Sequence, residues 1–255
     1  MNVLFVPSIG LPDSVPLLER LAASIDKPIQ RKVVFNNGIE GILDEFGEKH
    51  SDWTVIDSPT GNKGVADSWN QCAKLFPENP AWMLCNEDCW FLPGQLEVMC
   101  KCSDEHLNEP LIYTNSTQPF YCFVWHKWGR ENVGEFDANF AYAYYEDNDY
   151  KIRMKLMGIT GHSYAIEGKP PIQHGKPKTG GMNYNAVLQA WGLLNRAYFL
   201  RKWGNQDFNG EPLYPTPYND HRLTVDQWVW YPQERALRRK LWETFLSLPN
   251  PSIYE

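Results

Sequence analysis

The segment Ala81-Trp82-Met83-Leu84-Cys85-Asn86-Glu87-Asp88 decides the fold assignment. Its first five residues are all apolar, which is typical of a short strand buried on both faces. Three polar residues follow at once, at the point where the strand must end. In open parallel sheets, ligands bind beyond the carboxyl ends of the strands. We therefore expect a buried strand whose end faces a ligand site.

Three earlier segments repeat this pattern of a short apolar run that ends in polar residues. They are Asn2–Val6 with Pro7 and Ser8, Lys32–Phe35 with Asn36 and Asn37, and Thr54–Asp57 with Ser58. Apolar residues at helical spacing lie between the strands, over 15–25 and 65–76. Alternation of strands and helices predicts an α/β domain with a mostly parallel sheet flanked by helices.

The later part of the chain continues the pattern less regularly. We expect strands over 111–114 and 120–125, and helices over 94–102, 144–158 and 186–202. From about Gly204 the chain becomes rich in Pro and Asn, and a basic helix is expected near Glu234–Leu248. We therefore divide the chain into a main α/β domain, 1–204, and a C-terminal helical extension, 205–255. The basic helix of the extension would contact an anionic membrane or a polyanion, or pack on the main domain or on a second copy in a homodimer, and packing is favoured.

Composition narrows the class of protein. The chain has 255 residues, of which 43% are hydrophobic, and a formal net charge of −7. This acidic balance does not favour nucleic-acid binding. The N-terminus lacks the features of a signal peptide, and no apolar run reaches the length of a membrane span. The six cysteines form no CxxC pair. Together these features favour a cytoplasmic protein with reduced thiols.

Two positions carry oxygen and nitrogen ligands suited to a divalent cation. Asp88 follows the fourth strand, with Asn86 and Glu87 beside it, and short acidic turns at strand ends hold hard cations. His174 lies in a late loop and is a candidate second ligand. Because imidazole suits softer ions, this pair favours Mn²⁺ over Mg²⁺.

Two further segments are candidates for a general base and for an anion-binding site. Glu146 and Asp147 open a predicted helix, where adjacent carboxylates acquire separated pKa values if they are partly buried. The segment with Asn62, Gly64 and Asn70 begins another helix. Its glycine and the helix N-terminus favour a diphosphate.

Four motifs in order resemble glycosyltransferase family two, which has the GT-A fold. They are Val33–Gly38, which is similar to a strand ending in Asp-Asn-Gly; Asn62–Asn70, similar to N-x-G-x-A-x-x-x-N; Trp82–Asp88 with Pro93-Gly94, similar to the DxD strand and turn; and Gly134–Asp137 with Glu146–Asp149 and Arg153, similar to G-x-F-D … E-D-x-D … R. The first DxD carboxylate is replaced by Asn86, and Asn36 stands where the family often has Asp.

This resemblance implies a GT-A, Rossmann-like fold and an inverting transfer of a sugar from a nucleoside-diphosphate sugar. It implies that Asp147 is the base, with Glu146 supporting it, and that Asp88 and His174 bind the metal. Donor contacts are implied near Pro7, Asn36, Asn37, Asn62, Gly64, Asn70, Asn86 and Glu87. The acceptor stays open between a saccharide, a lipid-linked saccharide, a protein and a hydroxymethylated base in viral DNA.

Two other classes of protein compete with this interpretation. A nucleotidyltransferase would need a Gly- and Arg-rich phosphate loop after the first strand, and 7–12 contains one Gly and no Arg. A sugar- or nucleotide-binding relative without catalysis is favoured by Asn86 in the DxD motif. The retained acidic residues and His174 favour the enzyme.

Overall fold

The computed structural model describes residues 1–59, 61–114, 119–140, 142–159, 162–164, 172–175, 186–204 and 211–229. The strands are β1 Val3–Ser8, β2 Arg31–Asn36, β3 Trp53–Asp57, β4 Ala81–Cys85, β5 Cys89–Trp90, β6 Leu111–Thr114, β7 Cys122–His126, β8 His162–Tyr164 and β9 Gln173–His174. The helices are α1 Ser14–Ala23, α2 Asp44–Lys49, α3 Val65–Leu75, α4 Gln95–Glu105, α5 Lys127–Asn132, α6 Glu146–Leu156 and α7 Ala186–Trp203.

Seven strands form one twisted layer in the order β3-β2-β1-β4-β7-β6-β8. The pairs β3–β2, β2–β1, β1–β4 and β6–β8 are parallel, and β7 alone runs antiparallel to both of its neighbours. The prediction of a mostly parallel α/β sheet is therefore confirmed. A second, two-stranded sheet pairs β5 with β9.

Helices cover both faces of the large sheet, because its central strands are apolar on both sides. On one face, Leu18 and Leu21 of α1, Phe46 of α2 and Met99 of α4 pack on Leu4 and other strand residues. On the other face, Trp69 of α3 and Tyr150 of α6 pack on Phe5, Trp82 and Phe136. A fully buried side chain of this size contributes about 1.5–3 kcal/mol relative to exposure.

The carboxyl ends of β1, β2, β3 and β4 meet at one edge of this sheet, as the parallel pairings require. Pro7 and Ser8 lie inside β1 rather than after it, opposite Phe35 and Asn36. Pro7 has no N–H to donate, and β1 pairs with β4 only at Leu4 and Phe5. The proline is therefore tolerated in a central strand because one of its two ladders has already ended.

A buried charge network attaches α6 to α7. The Lys202 ammonium lies 2.8 Å from Asp137 Oδ2 and 2.7 Å from Asp149 Oδ1, and all three side chains are fully buried. Arg153 Nε donates to the second oxygen of Asp149 at 2.9 Å. Because two carboxylates face two cations, the cost of burying each charge is offset by its partners.

The segment 211–229 packs against α7. Trp228 joins a buried cluster with Trp203, Phe199 and Phe140, and the Tyr218 and Tyr198 hydroxyls are 2.7 Å apart. The division at 204/205 stays a prediction, and the basic helix expected at 234–248 lies outside the described residues. Across the described ranges, no helix is both long and apolar enough to cross a bilayer.

Replacement of the buried ammonium should destabilise the protein strongly. We expect Lys202→Met to lower the free energy of unfolding by about 3–5 kcal/mol, because two buried carboxylates lose their shared cation. Urea unfolding measures this difference. The matched control is Lys155→Met, whose side chain is 53% exposed and pairs with Glu211, and which should cost at most about 1 kcal/mol. Equal effects of the two variants would contradict a stabilising role for the network.

Candidate functional site

Asp88 and His174 meet beyond the carboxyl end of β4 although they lie 86 residues apart in the chain. The turn after β4 leads into β5, and Cys89 of β5 pairs with His174 of β9. His174 Nε2 lies 3.1 Å from Asp88 Oδ1. The Gly175 amide donates to the Asp88 carbonyl at 2.7 Å, and a Cβ on Gly175 would lie 3.1 Å from that oxygen. Glycine therefore permits the close approach that joins the two candidate ligands.

A tyrosine supports the histidine from the side of the sheet. The Tyr121 ring stacks on His174 with ring centroids 4.7 Å apart and an interplanar angle of 10°. The Tyr121 hydroxyl donates to the Ile172 carbonyl at 2.9 Å, and the backbone N–H of Asn86 donates to the Tyr121 carbonyl at 2.8 Å. Tyr121 thus holds the turn after β4 and the approach to β9 together.

This cluster fits a divalent cation. Asp88, Cys89 and His174 each offer a ligand atom, and these atoms lie within 4.8 Å of one another. A carboxylate oxygen and an imidazole nitrogen 3.1 Å apart have the spacing of two ligands on one ion. Asp88 and Cys89 are more than nine-tenths buried, whereas His174 is half-buried.

Glu87 is directed toward the end of β1. Its Oε2 accepts a hydrogen bond from the Ser8 hydroxyl at 2.5 Å, and the side chain is only 4% exposed. The Gly10 amide in turn donates to the Ser8 hydroxyl at 3.1 Å. Glu87 therefore fastens the turn after β4 to the last residue of β1. Asn86, the first residue of that turn, is half-buried.

Asn36 is a link between loops. Its Nδ2 donates to the Asp57 carboxylate at 2.6 Å and to the Ile39 carbonyl at 2.9 Å, and its Oδ1 accepts from the Gly38 amide at 2.9 Å. The side chain is 2% exposed. Asn36 thus ties the end of β2 to the end of β3. A donor contact from Nδ2 would require one of its two bonds to be exchanged, whereas Oδ1 can accept a second hydrogen bond.

Asn37 and Gly64 fix the start of α3. Asn37 Nδ2 donates to the Ser68 hydroxyl at 2.9 Å, and the Asn62 side chain accepts from the Gly64 amide at 2.7 Å. Gly64 has a φ of 87°, and a Cβ there would lie 2.7 Å from the Tyr142 backbone nitrogen. The backbone at Tyr142 leaves no room for a Cβ at position 64. This close approach explains why a glycine stands there, without any contact to a diphosphate.

Asn70 bridges α3 to the segment that precedes α6. Its Nδ2 donates to the Phe136 carbonyl at 2.8 Å, and its Oδ1 accepts from the Phe136 amide at 2.9 Å. The side chain is 2% exposed. The donor and the acceptor of this side-chain amide both bind the backbone of Phe136, so Asn70 fixes that segment against α3. A contact between Asn70 and a sugar donor stays a prediction.

Glu146 and Asp147 open α6, and their surroundings differ. Glu146 is 7% exposed, and its buried Oε2 has no hydrogen-bond partner among the described residues. Burial and the neighbouring Asp147 carboxylate raise the pKa of Glu146 to about 8. Asp147 is 27% exposed, and the Lys151 ammonium lies 3.8 Å from it. Burial raises the pKa of Asp147, and Lys151 opposes this rise.

The loop before α6 has an unusual backbone. Tyr142, Tyr144 and Tyr145 have φ values of 65°, 82° and 77°, a region that costs roughly 1–2 kcal/mol per non-glycine residue. Contacts from α7 hold this loop: Asn195 Nδ2 donates to the Ala143 carbonyl at 2.8 Å, and the Trp191 ring lies 4.5 Å from the ring of Tyr142. The conformation persists because the packing of α7 determines it.

The sequence patterns do not indicate Cys89, Tyr121 or Ser8 as partners of the metal candidates. Cys89 was interpreted as one of six reduced thiols, and all six are free in the structure. Only the pairing of β5 with β9 brings Cys89 beside His174, and two-residue strands leave no periodic signal. The sequence does place Ser8 among the polar residues at strand ends. Its hydrogen bond to Glu87 could not be predicted without knowing that β1 and β4 are neighbours in the sheet.

Because Glu146 is buried, its contribution to the free energy of unfolding falls as the pH rises, which is the opposite of the usual behaviour of a carboxylate. The folded chain keeps the Glu146 proton to about pH 8, whereas the unfolded chain loses it near the ordinary value of 4.5. The folded state therefore binds more protons in this window, and the stability contribution of Glu146 falls as the pH rises through it. We expect Glu146→Gln to gain stability relative to the wild type between these pH values.

Urea unfolding at a series of pH values measures this difference. The matched control is Glu97→Gln, because the Glu97 side chain on α4 is 71% exposed. Its free energy of unfolding should change with pH in the same way as that of the wild type. If the free energy of unfolding of Glu146→Gln also changes with pH as that of the wild type does, Glu146 has an ordinary pKa in the folded protein.

Comparison with known proteins identifies no relative by sequence. No protein-family model matches the chain, and no curated protein matches it. Solved structures do match. The mannosyltransferase PcManGT from Pyrobaculum calidifontis, in complex with GDP-Man and Mn²⁺, has a TM-score of 0.54 and 15% identity, over 99% of this chain and 71% of its own.

Two further structures agree. TarS 1–349 from S. aureus has a TM-score of 0.52 and 14% identity, over 80% of this chain and 74% of its own, and it is also known in complex with UDP. GalNAc-T7 with UDP, GalNAc and Mn²⁺ has a TM-score of 0.54 and 11% identity, over 80% of this chain and 49% of its own, so the chain spans about half of that protein. The chain therefore has the GT-A fold, as its motifs implied.

Proposed function

We propose that this protein is a glycosyltransferase that moves a sugar from a nucleoside-diphosphate sugar to an acceptor hydroxyl with the help of a divalent cation. The observation that carries the proposal is the meeting of Asp88 and His174, 3.1 Å apart, at the carboxyl edge of a GT-A sheet. Ligands of α/β sheets bind at this edge. The similar structures were solved with UDP, GDP-Man and Mn²⁺.

The donor would lie across the ends of β1, β2 and β4. Pro7, Asn36 and Asn37 line the first two ends, and Asn86 and Glu87 the last. The bonds of Asn36 to Asp57 and of Glu87 to Ser8 keep these ends in one arrangement before a ligand arrives. Such preorganisation lowers the entropic cost of binding. The α3 segment with Asn62, Gly64 and Asn70 would border the donor on its other side.

Asp88 and His174 would hold the cation, and the imidazole favours Mn²⁺ over Mg²⁺. When bound, the cation neutralises charge that develops on the departing diphosphate. The residues of the chain fix its place: the stacked Tyr121 ring orients His174, and the Gly175 amide holds the Asp88 backbone.

Asp147 would take the proton of the attacking hydroxyl. It is the more exposed of the two carboxylates at the start of α6, and Lys151 favours its ionised form. Glu146, buried and protonated near neutral pH, is suited to donate a hydrogen bond and to keep the acceptor in place. A base opposite the leaving group in one displacement would invert the anomeric centre, as the family resemblance implies. The acceptor is a saccharide, a lipid-linked saccharide, a protein or a modified base.

A thermal-shift screen of UDP, GDP and their sugars, with and without Mn²⁺, tests the donor site. A ligand at a hundred times its dissociation constant adds about 2.7 kcal/mol, which raises the melting temperature of a chain of this size by several degrees, roughly 2–4 °C per kcal/mol. We expect one nucleotide to give a shift that needs the metal and that is absent in Asp88→Ala. No shift with any nucleotide would favour a relative without donor binding.

Replacement of the base should separate binding from transfer. We expect Asp147→Asn to keep the metal-dependent thermal shift and to lose transfer by about 10²–10⁴-fold, the usual contribution of a positioned base. The matched control is Asp44→Asn, because Asp44 is also an aspartate in the first turn of a helix but is exposed. Unchanged turnover in Asp147→Asn would remove the base assignment.

A further inference from the structure

The environment of the metal candidates contains a sulfur atom that the proposed mechanism does not use. Cys89 is fully buried and pairs directly with His174 across the two-stranded sheet of β5 and β9. Residues directly opposite each other in an antiparallel pair project to the same face. The Cys89 sulfur therefore lies on the side of the imidazole, and its ligand atom is within 4.8 Å of those of Asp88 and His174.

We propose that Cys89 is a third protein ligand of the cation, so that this site selects a thiophilic ion such as Zn²⁺ or Co²⁺ over Mg²⁺. The proposal rests on the proposed function only for the use of the ion in sugar transfer. Three protein ligands leave a fourth position of a tetrahedral ion open, as in catalytic zinc sites, and a diphosphate oxygen would take that position.

The geometry needs little rearrangement. Ligand bonds of roughly 2.0–2.3 Å keep the ligand atoms of a tetrahedral ion about 3.3–3.6 Å apart. The Asp88 oxygen and the His174 nitrogen are already 3.1 Å apart. The sulfur must therefore approach this pair by on the order of 1 Å at most. It is held by a hydrogen bond to the Tyr121 carbonyl at 3.3 Å, and this bond is released when the thiol gives its proton to solvent and binds the ion.

Charge and softness agree with the assignment. The Asp88 carboxylate and a Cys89 thiolate together neutralise a dication, whereas Asp88 and His174 alone leave one positive charge. Thiolate ligands select softer ions, and carboxylate and water ligands suit Mg²⁺. Tyr121 serves both ligands, because its ring stacks on His174 and its carbonyl holds the Cys89 sulfur. Cys89 therefore determines which ion the site accepts.

Cobalt substitution tests the proposal without nucleotide or sugar. We expect Co²⁺ added to the metal-free protein to give a sulfur-to-cobalt charge-transfer band that is lost in Cys89→Ser. The affinity of Cys89→Ser for Zn²⁺ should fall by more than the roughly 10–100-fold that loss of an outer partner costs. The matched control is Cys72→Ser, a buried thiol on the opposite face of the sheet, which should keep the band. A band that persists in Cys89→Ser would overturn the proposal.

X-ray absorption of the wild-type protein with Zn²⁺ gives a second test that no folding defect of a variant can obscure. One sulfur neighbour of the zinc ion is expected, and only oxygen and nitrogen neighbours would overturn the assignment. These results are independent of the donor. Absence of sulfur with intact nucleotide binding refutes the role of Cys89 alone, whereas a cobalt–sulfur band without any nucleotide binding refutes the proposed transfer alone.

Discussion

The parallel direction of β1, β2, β3 and β4 is the constraint on which the rest of the structure depends. Parallel pairing brings the carboxyl ends of these strands to the same end of the sheet. Polar residues of neighbouring strand ends meet there, as Ser8 does with Glu87 and Asn36 with Asp57. The apolar faces of the strands are buried under helices on both sides. Ser8, Asn36 and Asp57 lie at the carboxyl ends of β1, β2 and β3. Asp88 and the predicted donor contacts Asn36, Asn37, Asn86 and Glu87 lie at this end of the sheet for that reason.

Amide side chains connect the loops at this edge. Asn36 binds the end of β3, Asn37 binds the start of α3, and Asn70 clamps the chain before α6. Each is almost fully buried, and in each the amide group has protein partners. Residues that the sequence indicated as ligand contacts therefore connect segments of the protein to one another. A buried amide whose partners are all met is costly to replace, since the remaining partner loses its bond.

A similar division of roles applies to the acidic motif at the start of α6. Glu146 and Asp147 open α6, and the Asp147 side chain is 27% exposed. Asp149, in contrast, turns inward to Lys202, Arg153 and Trp203. The buried network gives α6 a fixed direction relative to α7. Helix α7 in turn holds the left-handed loop at Tyr142–Tyr145 through Asn195. The position of the candidate base thus depends on charges that lie well inside the protein.

Much of this fold was predictable from local patterns. Ala81–Cys85 was predicted to the residue, and β1, β2, β3 and α3 were predicted to within two residues, because buried strands and amphipathic helices have strong periodic signals. The pairing of β5 with β9 was not predictable, since two-residue strands have no period and their partners lie far apart in sequence. The position of Cys89 beside His174 and that of Lys202 between two carboxylates were not predictable for the same reason, because each depends on contacts between distant segments.

The most direct test is a crystal structure of the protein with Mn²⁺ and the nucleoside diphosphate that it binds, with anomalous difference density for the metal. We expect a single metal peak bonded to Asp88 and His174, with the diphosphate beside it at the ends of β1 and β4. A nucleotide bound elsewhere, or a metal peak away from Asp88 and His174, would contradict it.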